Sequence, residues 1–123
     1  MKVVINACYG GFGLSDEAID RLKELAEQEN DKELLERINK DRIQSEKIKK
    51  EFGIDTRKYY GLNDISRTHS LLIKVVEELG EKASDEYSCL EIVEVPDDVD
   101  WYIDVYDGFE WVAEKHRTWY PKN

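Results

Sequence analysis

Apolar residues recur along the chain in patterns that predict helices and strands before any other property is considered. Residues 2 to 9 are rich in β-branched side chains and run into a glycine-rich segment, which predicts a first strand followed by a tight turn. Ser15 is a helix-capping residue, and the apolar spacing after it predicts a helix that ends near Glu29. Asn30 is predicted to cap a second, highly charged helix that continues to Gly53.

The second half of the chain combines a short helix with strands. Residues 54 to 66 have no regular period and are expected to form a connecting loop. Ser70 is predicted to cap an apolar helix that ends at Gly80. Residues 90 to 95 are predicted to form a strand that Pro96 terminates.

The strongest local signal is Asp107-Gly108 between two alternating runs, because this dipeptide favours a two-residue hairpin turn. It predicts a C-terminal β-hairpin from Trp101 to about Trp119, with Ile103 opposite Val112. Both faces carry apolar side chains, so we expect a helix to cover one face and a partner or ligand the other. The expected fold class is α+β, with a small, mostly antiparallel sheet and a C-terminal β-hairpin packed by helices, including one long charged helix.

Length and composition restrict the classes of function. The 123 residues predict one domain over residues 1–123, and a net charge of −10 disfavours binding of nucleic acid through a basic surface. No long apolar stretch predicts a membrane span, so we expect a cytoplasmic protein. Cys8 and Cys89 are too few for a disulfide framework and lack metal-ligand spacing, so both are expected to be reduced, with no metal and no cofactor.

The glycine-rich segment Gly10-Gly11-Phe12-Gly13 is the first candidate for chemistry. A strand that enters a capped helix through such a segment can present backbone N–H groups to a phosphate. The segment lacks the P-loop lysine and the Rossmann spacing, and Asp16 and Glu17 oppose an anion on the helix axis. A ligand contact and a purely structural turn both remain open.

Cations form the second candidate because they are scarce near the C-terminus. Eleven acidic residues and no Lys or Arg lie between Asp85 and Glu114, so Lys115, His116 and Arg117 stand out. An arginine can bind phosphate through two nitrogens, and a neighbouring aromatic ring can stack on a base. Arg67-Thr68 is a further candidate anion contact, although each cation also fits a structural ion pair. No histidine has the spacing of a known catalytic motif, so the chain is not expected to be an enzyme.

Four segments carry a resemblance to a known family: Val3–Ser15, with the sequence VVINACYGGFGLS, Val75–Gly80 (VVEELG), Glu91–Trp101 (EIVEVPDDVDW) and Tyr106–Trp119 (YDGFEWVAEKHRTW). They resemble the first anti-Thoeris family, phage and prophage sponges that sequester the cyclic ADP-ribose isomer signal (glycocyclic ADP-ribose) of bacterial Thoeris immunity. The family motif before the third helix is Arg-x-Asp-Pro-x-Leu, whereas this chain departs from it after Arg67-Thr68.

The resemblance implies an α+β protomer that dimerises, with two nucleotide pockets built from both chains, and in some members a hexamer. It implies storage of the signal without degradation, and in some members binding of cyclic oligonucleotide signals as well. Clustering and the family motifs together give these candidate ligand-binding residues: Gly10, Gly11, Phe12, Gly13, Arg67, Thr68, Glu114, His116 and Arg117. The alternative function is an acidic interaction protein that mimics nucleic acid or blocks a basic host factor.

Overall fold

Within the residues that the structure describes, the chain forms three α-helices and two small antiparallel sheets, which confirms the predicted α+β class. The computed structural model describes residues 1–54 and 62–115. The elements are β1 (Lys2–Asn6), α1 (Asp16–Gln28), α2 (Lys32–Phe52), α3 (Ser70–Leu79), a 3₁₀ turn (Gly80–Ala83), β2 (Leu90–Glu94), β3 (Trp101–Tyr106) and β4 (Phe109–Glu114). Within the described residues, no helix is both long enough and apolar enough to cross a membrane.

The strands pair in two separate sheets. β1 pairs with β2, from Lys2 opposite Glu94 to Asn6 opposite Leu90. β3 and β4 form the predicted hairpin, and Ile103 lies opposite Val112 as expected. Asp107 and Gly108 have φ angles of 50° and 85°, the two positive values that a type I′ turn requires. Beyond Lys115, the predicted continuation of the hairpin lies outside the described residues.

The β1–β2 sheet forms the middle of three layers. Val4 packs among the helices, whereas Val3 and Ile5 point to the other side and pack against Ile103 and Val112 of the hairpin. Side chains alternate along a strand, so one short strand supplies both contacts. The expectation that a helix covers the hairpin was wrong, because the outward side chains of β1 provide that cover.

The main core lies between the helices and the β1–β2 sheet. Its fully buried side chains come from all three helices and include Leu22, Leu25, Ile38, Leu72 and Val75. Burial of a side chain of this size stabilises the fold by about 1.5–3 kcal/mol. The helical stripes predicted from the sequence are therefore the surfaces that hold the helices on the β1–β2 sheet.

The helix caps confirm one prediction and correct two. The side chain of Ser15 accepts a hydrogen bond from the Ala18 amide, as expected for the cap of α1. Asp31 rather than Asn30 caps α2, because Asn30 adopts a left-handed φ of 57° and turns the chain before the helix begins. His69 rather than Ser70 caps α3.

The imidazole of His69 takes the place of a carboxylate or hydroxyl cap. Its Nδ1 accepts a hydrogen bond from the Leu71 amide at 3.1 Å, and its Nε2 lies 3.5 Å from a carboxylate oxygen of Asp31. An accepting Nδ1 carries no proton, so the hydrogen bonding assigns the proton to Nε2, on the side of Asp31. The residue that begins α3 is thereby tied to the residue that begins α2.

The helix α2 is held mainly by its first half. Leu34 and Ile38 are buried, whereas Ile43 and Phe52 are 65% and 68% exposed. The Arg42–Asp20 ion pair links the middle of α2 to α1. The charged composition of this helix thus corresponds to a largely solvated surface.

Replacement of Ile38 by Ala is expected to lower the free energy of unfolding by about 2–5 kcal/mol, because it leaves a cavity in the helical core. Ile43→Ala, in the same helix but exposed, is the matched control and should change stability by less than about 0.5 kcal/mol. Urea denaturation followed by circular dichroism measures both. Equal losses from the two variants would contradict the assigned orientation of α2.

Candidate functional site

Four segments that are far apart in sequence line one open cavity. They are the glycine-rich loop after β1, the residues that lead into α3, the turn before β2, and the hairpin around its turn. The cavity has a volume of about 340 Å³, within the range of about 300–1,000 Å³ typical of small-molecule sites. Its lining consists of Gly10, Gly11, Phe12, Asn63, Arg67, Asp85, Tyr87, Val105, Gly108 and Glu110.

Glycines allow two of these segments to touch through their backbones. A Cβ atom on Gly108 would lie 2.5 Å from the amide nitrogen of Gly11, so the hairpin turn packs directly on the loop. A Cβ atom on Gly10 would lie 2.4 Å from the carbonyl oxygen of Tyr87. Gly10 and Gly11 also have φ angles of 133° and 98°, which side chains rarely tolerate. The loop therefore requires glycine both for conformation and for space.

An ion pair between Arg67 and Glu110 forms one wall of the cavity. The guanidinium donates to both carboxylate oxygens, with Nη1–Oε1 and Nη2–Oε2 distances of 2.6 and 3.0 Å. The two side chains are only 15% and 10% exposed, so little water screens their attraction. The guanidinium carbon also lies 3.6 Å from the centre of the Phe12 ring, a cation–π contact that fixes its plane.

Asn6 connects this ion pair to the rest of the site. Its backbone amide donates to Oε1 of Glu110 at 2.8 Å, and its side-chain amide donates to the carbonyl oxygens of Cys8 and Gly108. The side-chain oxygen of Asn6 accepts from the Cys89 amide at 2.8 Å. One fully buried side chain thus joins β1, β2 and the hairpin turn.

The opposite wall is a turn before β2. The Asp85 carboxylate accepts from the Tyr87 amide at 2.8 Å, and Ser88 donates to the carbonyl oxygen of Gly13 at 2.7 Å. A Cβ atom on Gly13 would collide with the Asp85 carboxylate. Gly13 therefore shapes the wall by close packing. The Tyr87 ring is 48% exposed at the rim.

The charges of the lining are unevenly distributed. Its described residues comprise one cation, Arg67, and two carboxylates, Asp85 and Glu110. Arg67 is already paired, whereas the amides of Gly10 and Gly11 donate no hydrogen bond to any described residue. The described residues contain no group of three side chains arranged to bind a metal ion. An anionic ligand in this cavity would thus meet the backbone amides of Gly10 and Gly11 and one arginine, Arg67, that is already paired with Glu110.

The structure brings together some of the predicted site residues. Gly10, Gly11, Phe12 and Arg67 line the cavity, and Gly13 lies behind its wall. The hydroxyl of Thr68 instead pairs with that of Ser66 at 3.2 Å, outside the lining.

The C-terminal site residues are placed differently. Glu114 lies at the far end of β4, four residues and about 13 Å along the strand from Glu110. His116 and Arg117 lie outside the described residues. The described part of β4 therefore contributes Glu110 to the cavity instead of Glu114.

Phe12 differs from its expected role as a stacking platform. Its side chain is 7% exposed, and Arg67 occupies one face of the ring. The exposed aromatic ring in the described lining is that of Tyr87; Tyr9, next to Gly10 in sequence, is also exposed and makes a tilted contact with Phe109, with ring centres 5.6 Å apart. A ligand base would therefore meet a tyrosine before it met Phe12.

Sequence reasoning missed Glu110, Gly108 and Asn6 as site residues. Glu110 shares the inward face of the hairpin with Ile103 and Val112, and a carboxylate on such a face is a signal that a buried partner exists. The identity of that partner, Arg67, has no local signal because 43 positions separate the two residues.

A second cavity is larger, but of the ligand-binding residues predicted from the sequence, none that the structure describes lines it. It has a volume of about 910 Å³ and lies between α1, the second half of α2 and the turn at 84–87. Its arginine, Arg42, is paired with Asp20. We place the candidate site at the first cavity, where three distant motifs converge.

Comparison of the chain with protein-family models, with curated proteins and with solved structures finds no match.

Replacement of Glu110 by Gln is expected to destabilise the fold by about 3–5 kcal/mol, because it leaves the guanidinium of Arg67 in a mostly dry cleft without a counter-charge. Glu91→Gln, on an exposed position of β2, is the control for the loss of one negative charge. Chemical denaturation of the two variants tests this, and equal stabilities would show that the ion pair is not needed for the fold.

Gly108→Ala is expected to displace the hairpin turn, because the new methyl group would overlap the backbone of Gly11. Gly53→Ala introduces the same positive-φ strain at a position where no atom lies within 4 Å of the new methyl group. The control should lose only about 1 kcal/mol, and Gly108→Ala clearly more. Similar melting temperatures for the two variants would argue against the close contact.

Proposed function

We propose that the chain is a phage or prophage anti-defence sponge that binds a cyclic ADP-ribose isomer and withholds it, unaltered, from Thoeris immunity in the cytoplasm of the infected cell. The proposal rests on one main observation: three motifs of the chain meet at the same cavity. The glycine-rich loop, Arg67 and the hairpin turn belong to segments that resemble the anti-Thoeris family, and they line one cavity. Backbone amides of the loop and the one arginine of the described lining thereby come to the same cavity, which supports a role in binding an anionic ligand.

The proposed contacts to the cyclic ADP-ribose isomer use residues of the cavity lining. In the proposal, the amides of Gly10 and Gly11 donate to phosphate oxygens at the cavity wall. Asp85 offers carboxylate oxygens to ribose hydroxyls, and the exposed ring of Tyr87 offers a stacking surface for a base. Arg67 contributes positive potential beside the phosphates while it keeps its bonds to Glu110.

The charge balance of the lining favours a site completed by a second copy of the chain. A pyrophosphate needs more positive charge than one arginine shared with a carboxylate provides. The cationic residues from Lys115 to Arg117 follow the end of β4 that points away from this cavity. In the proposal, Arg117 of a second protomer enters the cavity and closes it, which makes the functional unit a dimer or a larger assembly of dimers.

The departure from the family motif before α3 is compatible with the proposal. Where the motif has Asp and Pro, the chain has His69 and Ser70. The Nδ1 atom of His69 caps α3 in the way that an aspartate oxygen does. The carbonyl oxygen of Arg67 still accepts a hydrogen bond from the amide of Val4 at 2.9 Å. In this chain the helix entry is thus capped, and the Arg67 backbone is held against β1, without the aspartate and proline of the motif.

A sponge acts by mass action, which sets its required affinity. Capture of a signal present at nanomolar concentration needs a binding free energy of about −12 kcal/mol. Enclosure of the ligand between protomers removes it from water and allows such an affinity without any bond being broken. Cyclic oligonucleotide signals would be further cargo of the same assembly.

A second candidate function, binding to a basic host factor, is favoured by the outward face of the hairpin. Tyr106, Tyr102 and Trp111 are 71%, 41% and 39% exposed there, in a region rich in carboxylates. Exposed aromatic rings beside acidic groups suit a cationic protein surface. Such a complex should weaken steeply as salt rises, whereas a nucleotide enclosed in a pocket should be lost less readily.

Incubation with glycocyclic ADP-ribose, followed by removal of free ligand, denaturation and chromatography, tests the proposed function. We expect the nucleotide to be recovered intact, in a fixed ratio to the chain, because the site stores the signal. Recovery of a cleaved product would identify an enzyme. Recovery of no nucleotide would refute the sponge.

Replacement of Arg117 by Ala is expected to weaken nucleotide capture at least about tenfold, since one charge-assisted contact to a phosphate contributes about 1.5–3 kcal/mol. Arg21→Ala removes the same charge on α1, where Arg21 pairs with Glu78 and Glu24, and should leave capture unchanged. Isothermal titration calorimetry compares the two variants. Equal affinities would exclude Arg117 from the site.

A further inference from the structure

Cys8 and Cys89 lie together at the end of the β1–β2 sheet. Cys8 follows β1 and Cys89 precedes β2, and the amide of Ala7 donates to the carbonyl oxygen of Cys89 at 2.8 Å. Both cysteines are free thiols; Cys8 is half-buried and Cys89 is exposed. The antiparallel pairing therefore continues one position past the strands, to Ala7 opposite Cys89, and Cys8 is the next residue of that chain segment.

Asn6 holds the two cysteines at the same atom. Its side-chain oxygen accepts from the Cys8 thiol at 3.5 Å and from the Cys89 amide at 2.8 Å. Burial, the hydrogen bond with Cys89, and the charges of Cys89 and Asp85 together raise the pKa of Cys8 to about 11.

The cysteine pair flanks a wall of the candidate site. Gly10 lies two residues after Cys8, and Tyr87 lies two residues before Cys89. These two residues meet where a Cβ atom on Gly10 would be 2.4 Å from the carbonyl oxygen of Tyr87. A covalent bond between the cysteines would therefore tie together the two segments that form this wall.

We propose that Cys8 and Cys89 form an oxidisable dithiol whose closure to a disulfide fixes the glycine-rich loop against the turn before β2. The oxidant is a small-molecule disulfide such as oxidised glutathione. The exposed Cys89 thiolate attacks it, forms a mixed disulfide and releases one glutathione thiolate. The Cys8 thiolate then attacks the Cys89 sulfur and releases the second. Two electrons and two protons leave the chain, and one molecule of oxidised glutathione becomes two of the reduced form.

The two steps differ in their dependence on pH. Only the thiolate of Cys8 can perform the second step, and the groups that face it are Cys89, Asp85, the Asn6 amide oxygen and the Tyr87 carbonyl oxygen. Because the pKa of Cys8 is raised to about 11, the thiolate fraction grows about tenfold for each pH unit below that value. Closure of the mixed disulfide should accelerate accordingly between neutral and alkaline pH.

Oxidation of the reduced full-length chain with oxidised glutathione tests the dithiol directly, without any nucleotide. We expect a monomeric product that has lost two hydrogens by mass spectrometry and regains them with dithiothreitol. Cys8→Ser should instead retain a glutathione adduct on Cys89, because no resolving thiol remains. A wild-type chain that keeps the adduct, or that forms only disulfides between chains, would overturn the proposal.

Hydrogen exchange tests the link between the disulfide and the cavity. The amides of Gly10 and Gly11 should exchange more slowly in the oxidised chain than in the reduced chain. Two controls should keep the faster exchange rate. One is wild type that has been oxidised and then reduced again with dithiothreitol, and the other is Cys8→Ser treated with the same oxidant. Unchanged exchange in a chain with a verified disulfide would refute the effect on the loop. Failure of nucleotide capture in both redox forms would count against the proposed function alone.

Discussion

The ion pair between Arg67 and Glu110 is the interaction on which the arrangement of the layers depends. It joins the segment before α3 to the hairpin across 43 positions of sequence, over the face of the Phe12 ring. A carboxylate on the inward face of the hairpin is costly to bury alone, and its two bonds to the guanidinium and one to the Asn6 amide offset that cost. The ion pair thereby stabilises the hairpin in its position on β1, together with the apolar contacts of Val3 and Ile5.

The same interaction limits how the chain can hold an anion. The guanidinium of Arg67 is hydrogen-bonded to Glu110, so it acts on a ligand mainly through its positive electrostatic potential and less through direct hydrogen bonds. Backbone amides and residues of a second protomer then carry the recognition in the proposed site. An acidic chain with a net charge of −10 can bind a phosphate in this way because the contacts are short-ranged and enclosed, while its surface repels anions at a distance.

The sequence predicted features whose determinants lie within a few residues of each other. The hairpin followed from Asp107-Gly108, and the first helix from Ser15, because turn and cap preferences are local. The cap of α3 was misplaced by one residue, since an imidazole nitrogen can do what a hydroxyl does. Of the site, the glycines and Arg67 were found as unusual residues, whereas Glu110 was not, because its meaning depends on a partner that only the folded chain brings near.

The exposed second half of α2 has a consequence for how copies of the chain can meet. From Ile43 to Phe52 the helix extends about 15 Å beyond the ion pair that links it to α1. Ser45, Glu46 and Lys49 of this segment line the second cavity together with α1 and the turn at 84–87, so a copy that approached on this side would meet polar and charged side chains. On the other side of the layers, the outward face of the hairpin presents exposed tyrosine and tryptophan rings, which favour broad apolar contact.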